Sequence, residues 1–149
     1  MVIFEKSGIS GTGMPYSPET TDRYNLSNIS SEEIPPLPAS LVEWMRARDA
    51  ALRGDPGFDG AEIRSDEIYP RLLLGRYFRD QYQEILQRLR SKGVAVEERA
   101  GCEVTDIVPD SDAGYRLIHG SGGSHEVRWV VIATGHYWAE RDRPGQGYY

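Results

Sequence analysis

The chain has 149 residues, about the size of one domain, and its 17 Lys and Arg against 23 Asp and Glu give a formal net charge of −6. This acidic balance, without a basic cluster, disfavours a protein that grips nucleic-acid phosphates. No apolar run approaches the ~20 residues of a membrane-spanning helix, and the first residues do not resemble a secretory signal. A single cysteine and three scattered histidines disfavour a disulfide or a metal site. We therefore expect a cytoplasmic protein with no nucleic-acid, membrane or metal partner.

The first third of the chain predicts one strand followed by a long loop. The apolar run Val2–Phe4 predicts a buried strand that ends at Glu5. Residues 8–38 are rich in Gly, Pro, Ser and Asn, and their prolines interrupt every helical or alternating period. Long loops in compact domains are often functional, and apolar and aromatic residues such as Tyr16 and Tyr24 favour order. We interpret residues 8–38 as an ordered, site-forming loop.

Two helices are predicted after this loop. Ser40 and Glu43 fit a capping box at the start of a helix that runs to about Arg53, where a Gly-Asp-Pro-Gly sequence stops it. A second helix is predicted over about Arg71 to Lys92, with Gly93 as its C′ residue. Apolar residues spaced three or four apart predict its buried stripe, which comprises Leu74, Phe78, Tyr82, Ile85 and Leu89.

Residues 94–134 switch to a period of two and predict β-strands and a meander. The predicted strands are Val94–Val96, Glu103–Val108, Tyr115–Ile118 and Val127–Trp129, the last leading into the apolar run Val130–Ala133. The unbroken run is typical of a strand covered on both faces in a parallel sheet. Residues 139–149 are predicted to be a polar tail. The predicted fold class is α/β, with a parallel sheet, a β-meander and helices.

Two of the predicted strand ends could carry chemistry. Glu5 lies at the carboxyl end of its strand, where a carboxylate in dinucleotide-binding sheets accepts hydrogen bonds from adenosine ribose hydroxyls. The alternative is an acidic residue that simply ends a strand. Thr134 and Gly135 follow the apolar run, where small residues permit close approach of a cofactor or form a plain turn.

Other candidate residues are weaker or are excluded. Arg71 could pair with a phosphate in a bidentate manner, or could form a surface ion pair. The glycines of residues 8–13 are spaced in the reverse of the G-x-G-x-x-G fingerprint, and the prolines that follow prevent a helix there. We interpret Cys102 as a small buried hydrophobe, because no His or Asn lies near it in the sequence to activate it. No residue offers itself as a catalytic acid or base.

Several segments, in this order and spacing, carry a family resemblance that covers most of the chain. They are Gly11-Thr-Gly-Met-Pro-Tyr-Ser-Pro, Tyr24-Asn-Leu-Ser-Asn, Tyr69-Pro-Arg, Leu74-Gly-Arg-Tyr, Glu103-Val-Thr-Asp-Ile and Val130-Val-Ile-Ala-Thr-Gly-His. The set resembles the flavoproteins with two dinucleotide-binding domains, in particular bacterial FAD/NAD(P)-binding proteins. The resemblance implies that residues 1–138 form a Rossmann-like FAD/NAD(P)-binding domain.

The resemblance also implies roles for individual residues. Glu5 corresponds to the ribose-binding carboxylate, Val104 to a meander position near the adenine, and Thr134 and Gly135 to the turn beside the FAD pyrophosphate. The segment that would approach the isoalloxazine contains Asn25, Leu26, Ser27 and Asn28. In such enzymes FAD accepts a hydride from NAD(P)H and passes electrons to a substrate or to oxygen.

The same resemblance predicts an incomplete domain. Members of the family begin with a strand, a G-x-G-x-x-G turn and a helix, roughly 30 residues in all, for which this sequence has no counterpart. We therefore expect a fragment that binds FAD weakly or not at all alone, with open sheet edges that could pair in a homo-oligomer. Three hypotheses follow: an FAD-dependent, NAD(P)H-linked oxidoreductase domain, a non-catalytic remnant or protein-interaction module, and a flavin monooxygenase-like protein. The substrate and the nicotinamide preference stay open.

Overall fold

The fold is mixed α/β, as predicted, and its strands form two separate sheets. The computed structural model describes residues 1–35, 37–53, 58, 60, 62–110, 114–120 and 122–135, so the predicted tail at 139–149 lies outside the described residues. A parallel pair consists of β1 (Val2–Glu5) and β2 (Glu97–Ala100). An antiparallel meander consists of β3 (Val104–Asp110), β4 (Gly114–His119) and β5 (Gly123–Val127).

Among the described residues, three α-helices lie between β1 and β2 in the chain. They are α1 (Leu41–Arg46), α2 (Asp49–Leu52) and α3 (Arg71–Ser91). The long loop before them contains two short 3-10 helices, at Met14–Tyr16 and Ser31–Glu33. Among the helices that the structure describes, none combines the length and the apolarity that crossing a bilayer requires.

The hydrophobic core lies between the helices and the long loop rather than on the sheets. Its buried members are Leu41, Trp44, Met45, Leu52, Phe58, Tyr69, Leu73, Leu74 and Tyr77, and loop residues Tyr16, Ile29, Ile34 and Leu37 pack against them. Among the described strand residues only Leu117 is buried. The long loop is therefore part of the core in this structure.

The capping box at the start of α1 is confirmed, but the single helix predicted to Arg53 is wrong. The Ser40 hydroxyl accepts a hydrogen bond from the Glu43 amide at 3.2 Å, and Glu43 accepts one from the Ser40 amide at 2.8 Å. The helix then breaks, and the Arg48 amide bonds to the Met45 carbonyl, three residues back, at 3.0 Å. The break puts Arg48 in contact with Asp80 of α3 at 3.0 Å, a tertiary contact that local propensity does not reveal.

Helix α3 confirms the predicted second helix and its glycine end. Gly93 has φ +81°, and its amide bonds to the Arg90 carbonyl at 3.0 Å. The Val94 amide reaches back to the Leu89 carbonyl at 3.0 Å, which completes a Schellman motif.

The predicted buried stripe of α3 is partly wrong. Ile85 is exposed, whereas the buried residues are Leu73, Leu74, Gly75, Tyr77, Gln81 and Leu86. Helix α1 and the long loop cover one side of α3, and the residues on that side are buried. This side is rotated about the helix axis from the stripe that apolar spacing predicts.

The strand predicted at Val94–Val96 begins later, at Glu97. Val94 is used by the Schellman motif, so pairing with β1 starts after it. The register places Val2 opposite Glu97, and the Glu97 amide donates to the Met1 carbonyl at 3.0 Å. The helix end and the partner strand together set this boundary.

The prediction of a buried strand at Val130–Ala133 is wrong. Strand β5 ends at Val127, and no described strand pairs with residues 128–135. Val131 is 90% exposed and Ile132 71% exposed. A parallel strand is buried only when neighbours cover it, and among the described residues none does.

We expect Gly75→Ala to destabilise the fold. A Cβ at this position would collide with the Tyr16 carbonyl oxygen of the long loop. The steric cost outweighs the higher helix propensity of alanine and leaves a net loss of about 1–3 kcal/mol. Urea unfolding measures the loss. Gly8→Ala, at a site with no atom within 4 Å, is the control, and equal stability of both variants would contradict the close approach.

Candidate functional site

Glu5 is fixed at the edge where β1 and β2 end. Its carboxylate Oε1 accepts a hydrogen bond from the Ser7 amide at 2.8 Å. Its carbonyl accepts one from the Cys102 amide at 2.9 Å, and the Ser7 carbonyl accepts one from the Gly101 amide at 2.7 Å. Carboxylate Oε2 has no partner among the described residues. The site thus holds one oxygen in place and leaves the other free to accept a hydrogen bond.

Val104 lies near the same edge, as the first residue of β3. It follows Cys102 by two residues and is half-buried opposite His119 of β4. The adjacent ion pair between Lys6 Nζ and Glu103 Oε1, at 2.8 Å, is exposed to solvent. Exposed ion pairs of this kind contribute little to stability. The backbone hydrogen bond from the Cys102 amide to the Glu5 carbonyl is therefore what joins the end of β1 to the start of β3.

Residues 25–27 of the long loop are held against the start of α3. The Ser27 amide donates to the Tyr69 carbonyl at 2.9 Å, and the Arg71 amide donates to the Asn25 carbonyl at 2.8 Å. Leu26 and Pro70 form the antiparallel bridge between these bonds. The segment predicted to approach a flavin is therefore attached to a helix through its backbone.

The side chains of this segment face solvent. Leu26 is 56% exposed, and Asn25 and Asn28 are exposed, whereas Ser27 is buried with its hydroxyl bonded to the Ile29 carbonyl at 2.6 Å. Arg71 donates from Nε to the Leu26 carbonyl at 3.0 Å. This hydrogen bond from Arg71 positions the loop. The predicted pairing of Arg71 with a phosphate would use its terminal guanidinium nitrogens, and it stays a prediction.

Tyr82 connects the long loop, α3 and β2. A Cβ at Gly11 would lie 2.7 Å from the Tyr82 ring, and Gly11 has φ +87°, so both the contact and the backbone favour glycine. The Tyr82 hydroxyl donates to Glu98 Oε1 at 2.9 Å. Burial, together with this bond and the nearby Glu98 charge, raises the pKa of Tyr82 to about 12. The start of the loop is therefore positioned by a neutral tyrosine.

Thr134 and Gly135 do not join Glu5 in this structure. Both are exposed, in the segment without strand pairing, and Gly135 has φ +69°. No described contact connects them to β1 or to residues 25–28. Their role beside a pyrophosphate stays a prediction.

The interpretation of Cys102 as a small buried hydrophobe is wrong about its burial. Cys102 is only half-buried, and its Sγ lies 3.5 Å from His119 Nδ1. Arg99 Nη1 lies 3.2 Å from Nε2 of the same ring, so the two ring nitrogens of His119 face a guanidinium and a thiol. The contact follows from the register of the meander, which places Val104 opposite His119 and which sequence spacing does not reveal.

The class of this protein follows from its similarity to known proteins. The model of the FAD-NAD(P)-binding family matches residues 1–137, and the chain belongs to this family. The chain is also 34% identical over 148 residues to the "Uncharacterized protein YdhS" of Escherichia coli (strain K12). That match covers 99% of this chain, which spans 28% of the length of the relative. Membership of the family indicates a small-molecule dinucleotide as the partner.

We expect Tyr82→Phe to reduce the loss of stability at high pH. The pKa of Tyr82 in the fold, about 12, exceeds its ordinary value of 10.0, so the fold favours the neutral form. Its contribution is fully present below pH 10 and is lost as pH rises towards 12. Urea unfolding across this range should show a shallower decline in Tyr82→Phe than in the natural chain. Tyr115→Phe, at an exposed position, is the control, and an unchanged decline in Tyr82→Phe would contradict the assignment.

Proposed function

We propose that this chain contributes the adenosine-binding and flavin-facing residues of an FAD-dependent, NAD(P)H-linked oxidoreductase in the cytoplasm. The observation that carries the proposal is Glu5, a carboxylate held at the carboxyl end of a parallel strand with one oxygen free, in a chain of the FAD-NAD(P)-binding family. Ligands of parallel α/β sheets bind beyond the carboxyl ends of the strands. The choice of FAD, the redox activity and the cytoplasmic location are all part of the proposal.

The chemistry of Glu5 suits a ribose. A carboxylate accepts hydrogen bonds from hydroxyl groups and has no proton to donate at neutral pH. The Ser7 amide orients the carboxylate through Oε1, so that Oε2 accepts from a ribose hydroxyl without reorganisation. Val104, two residues beyond Cys102, offers an apolar side chain for the adenine.

The segment 25–28 suits a flat aromatic ligand. Its backbone is fixed by bonds to Tyr69 and Arg71, so little conformational entropy is lost when a ligand lies against it. Exposed Leu26 offers an apolar surface, and the flanking Asn25 and Asn28 offer amides that donate and accept. Bound FAD would supply the hydride-transfer chemistry, whereas this chain supplies position and electrostatics.

The pyrophosphate of FAD has fewer proposed partners in this chain than in a dinucleotide-binding domain with a helix N-terminus after its first strand. In the described chain β1 runs into the long loop, and the first α-helix begins only at Leu41, so no helix N-terminus directly follows β1. Arg71, Thr134 and Gly135 are the proposed pyrophosphate contacts. We therefore propose that these 149 residues alone bind FAD weakly.

We expect Glu5→Gln to weaken FAD binding about 10- to 100-fold, which corresponds to the loss of about 1.5–3 kcal/mol in hydrogen bonds to a charged group. Quenching of FAD fluorescence, titrated with the chain at high micromolar concentration, measures the affinity. Glu126→Gln removes an exposed carboxylate from β5 and is the matched control. Equal affinity in Glu5→Gln would remove its ribose role, and a lack of saturation by the natural chain would exclude FAD binding by these residues.

A second candidate function is that of a protein-interaction module. Trp129, Val131 and Ile132 are 83%, 90% and 71% exposed, so large apolar side chains lie close together on the surface. Adjacent exposed apolar residues of this size mark contact sites more often than isolated ones do. Among the described strands β1 pairs only with β2, so its other edge is also open to pairing.

The interaction hypothesis predicts self-association that depends on this apolar segment. We expect the natural chain to shift from monomer to dimer with rising concentration in light scattering coupled to size exclusion. The double variant Val131→Asp, Ile132→Asp should remain monomeric, because it introduces charge into the contact. Arg128→Asp makes the same net charge change at a neighbouring exposed position. If Arg128→Asp abolishes association equally, charge rather than apolar contact controls it, and a natural chain that stays monomeric contradicts the hypothesis.

A further inference from the structure

A groove between α2 and α3 gathers arginines on an otherwise acidic chain. It is an open groove of about 340 Å³, and its charged lining consists of Arg48, Arg76, Arg79 and Asp80. Three arginines and one aspartate leave a local charge of +2, whereas the whole chain carries −6. None of these residues belongs to the proposed FAD contacts. The groove is therefore a separate electrostatic feature.

Arg48 is held in place before any ligand arrives. Its guanidinium carbon lies 4.9 Å from the centre of the Trp44 ring, and its Nη2 lies 3.0 Å from Asp80 Oδ2. The indole Nε1 of Trp44 donates to the same oxygen of Asp80 at 2.9 Å. Because one carboxylate oxygen positions both side chains, less rotamer entropy is lost when Arg48 binds a ligand.

The helix α3 presents the other two arginines beside Asp80. Arg79 and Asp80 follow Arg76 by three and four positions, so both lie beside Arg76 on one face of the helix. Arg76 and Arg79 are both exposed, and the Arg79 guanidinium has no partner among the described residues. The carboxylate of Asp80 is shared by Arg48 and Trp44. Arg79 thus gives the groove donor capacity that no described residue uses.

We propose that this groove binds the dianionic phosphate of a small phosphate monoester. The planar fork of a guanidinium matches two phosphate oxygens, and several arginines can surround one phosphate. A phosphate monoester carries close to two negative charges at neutral pH, which match the local charge of +2. The volume of the groove leaves room for a small organic group beside the phosphate. A monovalent carboxylate would leave half of the local charge uncompensated.

The test uses the whole chain, titrated with inorganic phosphate, phenyl phosphate and acetate while the arginine Nε–H resonances are followed by NMR. Both phosphates should produce saturable shifts in a small set of arginines, with phenyl phosphate binding at least as tightly, and acetate should bind much more weakly. Arg79→Gln should weaken phosphate binding about tenfold, as should Arg48→Gln. Arg116→Gln, an exposed arginine on β4, should leave it unchanged.

Each opposite outcome overturns the proposal. Linear, unsaturated shifts, equal binding of acetate and phosphate, or equal weakening in Arg116→Gln would show only general attraction between anions and arginines. Binding of inorganic phosphate without phenyl phosphate would overturn the assignment to a monoester. Far-UV circular dichroism of Arg79→Gln distinguishes lost binding from lost folding, and because Arg79 is exposed, we expect the fold to be intact.

Discussion

The contact between the long loop and helix α3 is the constraint on which the rest of the structure depends. It requires a helix face without a side chain at Gly75, where the Tyr16 carbonyl meets the helix. Further along the same helix, the Tyr77 hydroxyl donates to the Ala39 carbonyl at 2.7 Å, and the Gln81 side chain accepts from the Ala39 amide at 2.8 Å. Because both partners are buried, these bonds replace hydrogen bonds to water that the Ala39 peptide has lost. The loop is thereby attached along about two turns of α3, from Gly75 to Gln81.

Because of this attachment, both parts of the candidate site, the strand edge at Glu5 and the loop segment 25–28, are connected to helix α3. The beginning of the loop passes Tyr82, whose hydroxyl reaches β2 through Glu98 near the strand edge that holds Glu5. The later segment around Leu26 is bonded to the first turn of α3. A helix of 21 residues therefore separates and orients the proposed ribose contact and the proposed flavin contact. The groove of arginines lies on a different face of the same helix, because Arg76 and Arg79 are exposed whereas Gly75, Tyr77 and Gln81 are buried.

The sequence predicted the elements whose stability is local. The capping box at Ser40, the extent of α3 and the role of Gly93 were correct, because each depends on hydrogen bonds and backbone angles within a few residues. The sequence also predicted that the first strand ends at Glu5, as it does in the structure, whereas the ribose-binding role of Glu5 stays a prediction. The later boundary of β2, the break after Arg46 and the contact of Cys102 with His119 depended on partners distant in the chain. Sequence spacing alone could not reveal them.

The sequence by itself thus determined the α/β class, the position of α3, the membership of a dinucleotide-binding family and the residue types at the sheet edge. The tertiary structure decided which face of α3 is buried, that the long loop forms part of the core, and that Val131–Ala133 lies exposed. The physical reason is that periodicity measures how apolar a segment is, whereas burial requires another surface to cover it. The arginine groove follows the same rule, since Arg48 and Arg79 are 31 positions apart in the sequence and line one groove only when the turn between α1 and α2 packs against α3.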